Sequence, residues 1–272
     1  MKKIFLDCGT HMGEGLNKFA EYYNMNIYFK ETNFGHFCLL ENDLISNCIN
    51  NYGYWEQHLY YFYSQFIKSD DIIIDGGENL GFHSIQFAKL ANNGIVYSFE
   101  PQPLIYNILA TNILINGATN IIKQYKLGLG DGSDEELKMT PLSEQHFSDT
   151  CINYGGRGLT DSDKGEEKVE LTTIDNLNLP KLDLIKLDVQ GFEFKAIKGG
   201  EKTIKNNHPL MLIENYPNSE QDQKVIDLVK EWGYEVYRLE ASHNEDCIAV
   251  YPSKHIDEIK FIETQTTVKW KK

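Results

Sequence analysis

Arginine is almost missing from this chain: Arg157 and Arg238 are the two among 272 residues, and the formal net charge is −14. So few guanidinium groups on so acidic a protein cannot build the basic surface that nucleic-acid phosphates require, so nucleic acid is not an expected partner. The acidity itself speaks to solubility rather than to fold. Cysteine is also scarce, and Cys8, Cys38, Cys48, Cys151 and Cys247 form an odd set without a C-x-x-C pair. That excludes a disulfide framework or zinc knuckle and fits a reducing cytosol. Long apolar runs are absent, and the opening Met-Lys-Lys-Ile-Phe-Leu reaches Asp7 before a signal-type core develops, so the expectation is a soluble, cytoplasmic protein without a membrane span. No His/Asp/Glu set has metal-ligand spacing, and no metal is expected.

What is present is an alternation. The apolar run Ile72 to Ile74, a helix-like stretch Phe82 to Leu90, a strand Ile95 to Phe99 and a helix Leu104 to Ile115 read as βαβα, which implies a parallel sheet. A strand around Ile121 and Ile122 precedes an acidic, Gly-rich insertion, residues 128–168. Regular order returns with a strand Leu182 to Asp188, a helix Phe192 to Ile197, a strand Pro209 to Glu214, and a helix Gln221 to Trp232. The closing strands Tyr234 to Leu239 and Cys247 to Tyr251 have no helix between them, so they should pair as an antiparallel hairpin.

The spacing therefore predicts a doubly wound α/β fold, mostly parallel, over residues 69–272. Residues 1–68 form a smaller accessory segment with a hairpin (Ile27 to Phe29, Phe37 to Leu40) and a helix between Trp55 and Ile67. This segment opens with a partial repeat: Ile4-Phe-Leu-Asp7-Cys-Gly9-Thr-His-Met-Gly13 parallels Ile72-Ile-Ile-Asp75-Gly-Gly77-Glu-Asn-Leu-Gly81. Only the second copy is followed by a full set of strands.

Glycines at a strand-to-helix turn let a ligand lie against the backbone, and open α/β sheets bind ligands at the carboxyl ends of their strands. A dinucleotide fingerprint would need Gly at 78, where Glu78 stands, and a carboxylate there opposes pyrophosphate. A ligand with an ammonium, a sulfonium and a ribose but no phosphate suits acidic lining instead, with Asp75 and Glu78 facing its positive end. Glu100, closing the next strand before Pro101, is placed to accept from both ribose hydroxyls. S-adenosylmethionine has these groups.

Four ordered segments carry a family resemblance: Asp70 to Ser84, Tyr97-Ser-Phe-Glu-Pro-Gln102, Thr173-Ile-Asp175, and Ile185-Lys-Leu-Asp-Val-Gln-Gly-Phe-Glu193. From about Gly53 to Ser253 the chain resembles the FkbM-type methyltransferases. The resemblance implies a class I methyltransferase Rossmann-like fold, S-adenosyl-L-methionine as cofactor, and O-methylation of a sugar or other secondary-metabolite hydroxyl. It carries cofactor roles onto Asp75, Gly77, Asn79, Gly81 and Glu100. Glu78, His83, Ser84, Pro101 and Gln102 complete the candidate cofactor-binding set. Two departures stand out: Gln190 where the family usually has Glu, and the additional Asp7 loop.

Methyl transfer to oxygen needs an acceptor aligned with the sulfonium and a group to take the hydroxyl proton. Asp188 ends a central strand before Gly191 and is the first candidate. His243, in the loop between the last two strands, is second, and Glu214, ending the next strand, is third. Arg157 is a candidate to hold an anionic group such as a diphosphate. The expected activity is S-adenosylmethionine-dependent O-methylation of a sugar hydroxyl in surface glycan biosynthesis. The alternatives are a nucleotide-activated sugar or small metabolite as substrate, and a non-catalytic binding module that keeps the fold.

Overall fold

A computed structural model describes residues 26–142, 151–216, 219–239, 246–264 and 270–271. The Asp7 loop and His243 lie outside the described residues. The isoleucine run forms β3 (Ile72–Gly76), buried along both sides as a continuous β-branched run in a central parallel strand must be. Three elements then follow at the expected places: α3 (Phe82–Leu90), β4 (Ile95–Phe99) and α4 (Pro103–Ile115). Pro103 opens α4 at a position where its missing N–H costs nothing.

β5 (Ile122–Tyr125), β10 (Leu184–Leu187), β11 (Leu210–Glu214), β12 (Glu235–Leu239), β13 (Asp246–Val250) and the short β14 (Trp270–Lys271) complete the main sheet. Its order is β14-β12-β13-β11-β10-β3-β4-β5. The pairs from β11 to β5 are parallel, whereas β13 runs antiparallel between β11 and β12. The hairpin expected at the end of the chain is therefore present, with β14 added to its edge.

The period of two along each strand sorts the core into two layers. One face packs Ile73, Val96, Ile122, Leu184, Leu212 and Ile248 against α3 and α4. The same layer takes in α2 (Gln57–Tyr63) and the hairpin β1 (Ile27–Thr32) and β2 (Gly35–Leu40). The other face packs Ile74, Ile185, Leu187, Met211, Ile213 and Ala249 against α5 (Glu193–Lys198), α6 (Glu201–Asn207) and α7 (Glu220–Glu231).

The amino-terminal hairpin is tied to the main body by Asn112 of α4, whose Oδ1 accepts from the Cys38 N–H at 2.6 Å while its Nδ2 donates to the carbonyls of Cys38 and Leu80. The helix expected between Trp55 and Ile67 is shorter, α2 giving way to turns after Tyr63. A helix not legible beforehand, α1 (Leu44–Tyr52), has an Asn-rich sequence of poor helix propensity. It is held by the Asp43 cap, whose carboxylate accepts from the Ser46 N–H, and by burial of Ile45 and Ile49. α8 (Ile256–Thr264) was likewise not foreseen.

The insertion is not structureless. β6 (Gly128–Leu129), β7 (Glu136–Met139) and β8 (Leu159–Thr160) join β9 (Lys168–Thr172), which begins at its last residue, in a small sheet of order β6-β9-β7-β8.

Candidate active site

Because side chains alternate along a strand, Glu100, Asp188, Glu214 and Asp246 extend the helix-α3 face of β4, β10, β11 and β13 at one edge of the sheet. Glu214 and Asp246 are directly opposed in the β11–β13 register. Two charges so placed would repel, which favours the neutral acid at one of them.

The first of two adjoining cavities is an open cleft walled by Phe99, Leu127, Leu129, Leu159, Val189 and Phe192. Gly77, Asn79, Glu100, Pro101 and Gln102 form its β3–α3 and β4–α4 side. Glu100 is fixed at both oxygens: Oε2 accepts from the Asn79 N–H (3.1 Å) and Oε1 from the Gln102 N–H (2.8 Å). Burial nevertheless raises its pKa to about 7 against those two bonds. Asn79 adopts a left-handed conformation, φ 55°. Gly77 is also left-handed, and a Cβ on it would fall 1.7 Å from the Asp188 carbonyl oxygen, so only glycine lets this loop lie against the tip of β10.

Five of the ten candidate cofactor residues line neither cavity. Asp75 is fully buried; its Oδ2 accepts from the Ser84 hydroxyl at 2.7 Å, and Ser84 also bonds Ser98. Burial raises the Asp75 pKa, with Lys186 opposing. Neither oxygen of buried Glu78 has a hydrogen-bond partner among the described residues, and burial together with Asp75 and Glu100 pushes its pKa well up. Gly81 admits Leu109 of α4, whose Cδ1 would meet a Cβ at 2.6 Å. His83 is bonded at both ring nitrogens, Nδ1 to the Tyr63 hydroxyl (3.0 Å) and Nε2 to Glu56 (2.9 Å). These residues support the floor.

The second, larger cavity shares Gly77, Asn79, Gly155, Asp188 and Gln190 with the first. Trp55, Glu56, His58, Glu214, Tyr216 and Asp246 extend it. The structure thus brings Asp188 and Glu214 together, 2.7 and 2.8 Å from the Gln190 amide nitrogen that donates to both. Glu214 also accepts from the Tyr216 hydroxyl at 3.0 Å. Burial, then the Asp188 charge, holds the Glu214 carboxyl far above the usual range and favours its neutral acid form.

Sequence reasoning missed three participants. Lys186 is a buried ammonium 3.7 Å from Asp188. Burial works against its charge, but Asp188, Glu56, Asp75 and Glu214 outweigh that and raise its pKa. Its signal was a lone polar residue in an otherwise apolar strand, Leu184-Ile-Lys-Leu187. Glu56 and His58 on the accessory segment are the other two, and no local motif marks them. Arg157 reaches the first cavity but is already committed, to Glu166 (2.9 Å), Glu167 (2.8 Å) and the Thr140 carbonyl.

Two further acids of the family-like segments are structural. Glu193 accepts from the Val189 and Gly191 N–H groups, bracing the loop that carries Asp188 and Gln190. Asp175 accepts from the Lys202 and Thr203 N–H groups at the start of α6. Among the described residues, no group of three or more His, Cys, Asp or Glu is arranged to hold a metal ion. No helix among them is long and apolar enough to cross a membrane.

A model of the methyltransferase FkbM domain matches residues 75–236, more than half of the chain. The chain belongs to the FkbM methyltransferase family. A solved FkbM methyltransferase from Methylobacillus flagellatus KT shares the fold with a TM-score of 0.50 and 18% identity, over 70% of this chain and 46% of that one. Among curated proteins, methyltransferase sdnD of Sordaria araneosa is 20% identical over 217 residues, 70% of this chain and 84% of sdnD. The hexuronic acid methyltransferase AglP of Haloferax volcanii is 28% identical over 132 residues, 48% of this chain and 51% of AglP. The chain thus spans about half the length of AglP and of the M. flagellatus protein. The family and the strand order together give the class I methyltransferase fold.

Proposed function

We propose that this FkbM-family chain is an S-adenosylmethionine-dependent O-methyltransferase acting on a sugar hydroxyl in surface glycan biosynthesis, without a metal. The observation that carries the reading is Glu100: a carboxylate locked by two backbone N–H groups at the edge of an apolar cleft, with lone pairs left for a diol. The cleft suits an adenosine, and the glycine-bared wall at Gly77 leads from it into the second cavity. When bound, S-adenosylmethionine would supply an electrophilic methyl carbon. Glu100 would hold the ribose, the apolar walls the base, and Asp188 would face the cationic end where the two cavities meet.

In the second cavity Trp55 and Tyr216 offer aromatic faces to a sugar ring, and Glu56, Asp188 and Glu214 offer polar edges to its hydroxyls. AglP is by name a methyltransferase of a sugar acid, which supports a carbohydrate acceptor. No Lys or Arg is among the described residues lining this cavity, and Arg157 is occupied elsewhere, so a nucleotide diphosphate on the acceptor finds no cation here.

Calorimetric titration of S-adenosylhomocysteine tests the first half. Wild type is expected to bind, and Glu100→Ala to bind about tenfold to a hundredfold more weakly, as loss of charged hydrogen bonds implies. Incubation with methyl-labelled S-adenosylmethionine and a panel of neutral, amino and acidic sugars tests the second half. Label entering no sugar hydroxyl would overturn it.

A further inference from the structure

The second cavity contains a side-chain pair that the cofactor reading does not use. His58, second residue of α2, directs Nε2 to Asp246 Oδ2 at 2.6 Å, across 188 residues of sequence, and both side chains line the cavity. Asp246 opens β13 opposite Glu214 and is nearly buried, while the His58 side chain is 28% exposed and reachable from the cavity. The ring's Nδ1 makes no hydrogen bond among the described residues.

The carboxylates nearby are poorer proton acceptors. Burial beside the Asp188 charge favours the neutral acid at Glu214, which leaves it a poor acceptor. Asp188 accepts from Gln190 on one oxygen and has the Lys186 ammonium 3.7 Å from the other, so both of its oxygens already have a partner. Glu56 is held by His83 and lies near Lys186.

Resting on the methyltransferase reading above, we propose that His58, oriented by Asp246, is the general base that takes the proton of the acceptor hydroxyl. Asp246 is a positioning residue: with Nε2–H donating to its carboxylate, the neutral ring keeps its lone pair on Nδ1. As the acceptor oxygen's electron pair forms the bond to the methyl carbon, the carbon–sulfur pair stays with sulfur. The O–H proton passes to Nδ1, and the positive charge moves from the sulfonium to an imidazolium beside Asp246, to be released to solvent. This assignment transfers proton removal from Asp188, where position along the sheet suggested it, to a residue of the accessory segment.

The groups facing the ring are Asp246 from β13 and Glu56 from the turn before α2, with Asp188 and Glu214 at the tips of β10 and β11, and Lys186 within β10, beyond. Burial lowers the His58 pKa, but the hydrogen bond and charge of Asp246, with Glu56, reverse this and raise it above 6.5. The base form is therefore lost as pH falls through that raised value.

The test pairs a cofactor-free measurement with kinetics. Histidine Cε1 resonances are titrated in wild type, Asp246→Asn and His58→Gln, the last identifying the His58 signal by its disappearance. His58 should titrate above 6.5 in wild type and at a lower pH in Asp246→Asn; an unmoved value overturns the pair. With the sugar acceptor, kcat of His58→Gln should fall about 10²-fold to 10⁴-fold with loss of the acid limb of its pH profile. In Asp246→Asn the limb should shift to lower pH in step with the resonance. S-adenosylhomocysteine affinity should be unchanged in both variants, which shows them folded. A His58→Gln enzyme with more than a tenth of wild-type turnover, or an unchanged acid limb, overturns the base. Wild type that methylates no hydroxyl overturns the proposed function instead, and the base assignment with it.

Discussion

The two faces of the central sheet are built from the same strands and do different work. On the α5–α7 face the central strands are apolar at the level of Ile74, Ile185, Met211 and Ala249. On the α3 face, the row one residue further along holds Ser98, Asp75 and Lys186 in register, all buried. Beyond it, at the sheet edge, come Glu100, Asp188, Glu214 and Asp246. One face stabilises the fold, and the other tolerates buried polar groups where a neighbour answers them: Asp75 by Ser84 and Lys186, the Glu214 acid by Gln190 and Tyr216, Asp246 by His58. Local pairing is what lets chemistry sit on a core strand.

Three substitutions would break or sharpen that contrast. The largest effect is expected where both functions meet, at Gly77. Gly77→Ala puts a Cβ into the Asp188 carbonyl and a side chain at φ 72°, which should cost about 5 kcal/mol or more and abolish S-adenosylhomocysteine binding. Urea unfolding and calorimetry read both; a variant as stable as wild type would show that the loop can withdraw from β10.

On the apolar face, Ile185→Ala should cost about 2–5 kcal/mol by opening a cavity, while turnover per folded molecule and its pH profile stay those of wild type. A changed pH limb would mean that the faces are coupled.

The smallest effect concerns Glu100. Its folded pKa, about 7, exceeds the ordinary 4.5, so the folded state keeps the proton longer than the unfolded chain does. Stability should be greatest below about 4.5 and fall as pH rises to about 7, by at most about 1.4 kcal/mol per pH unit, then level off. Glu100→Gln should remove that slope in urea unfolding at pH 5 and pH 7; an identical slope in the variant would place the proton elsewhere.

How far the site was legible depends on whether its residues act locally. Gly77, Asn79, Glu100, Pro101 and Gln102 follow directly on two strands, and their turns and registers are short-range consequences of the sequence. They line the first cavity. Asp75 and Glu78 have the right residue types in the right segment, yet face the core beneath it, because alternation places Asp75 with the buried row and Glu78 against α4. Lys186 was overlooked for a related reason: a charge inside an apolar strand makes sense only when the carboxylates that answer it are known.

The sequence by itself determined the parallel sheet, its closing antiparallel strand, the strand-tip position of Asp188 and Glu214, and the family-like segments, since periodicity and turn chemistry act over a few residues. Only the tertiary structure decided that the accessory segment packs on the same face as those tips, bringing His58 to Asp246 and Glu56 to His83. It also decided that Gln190 bridges Asp188 and Glu214, and that the insertion folds into a small sheet whose Leu129 and Leu159 wall the first cavity. Each of these contacts joins residues whose own local sequence is indifferent to it, so each forms only once the elements that carry them have packed together.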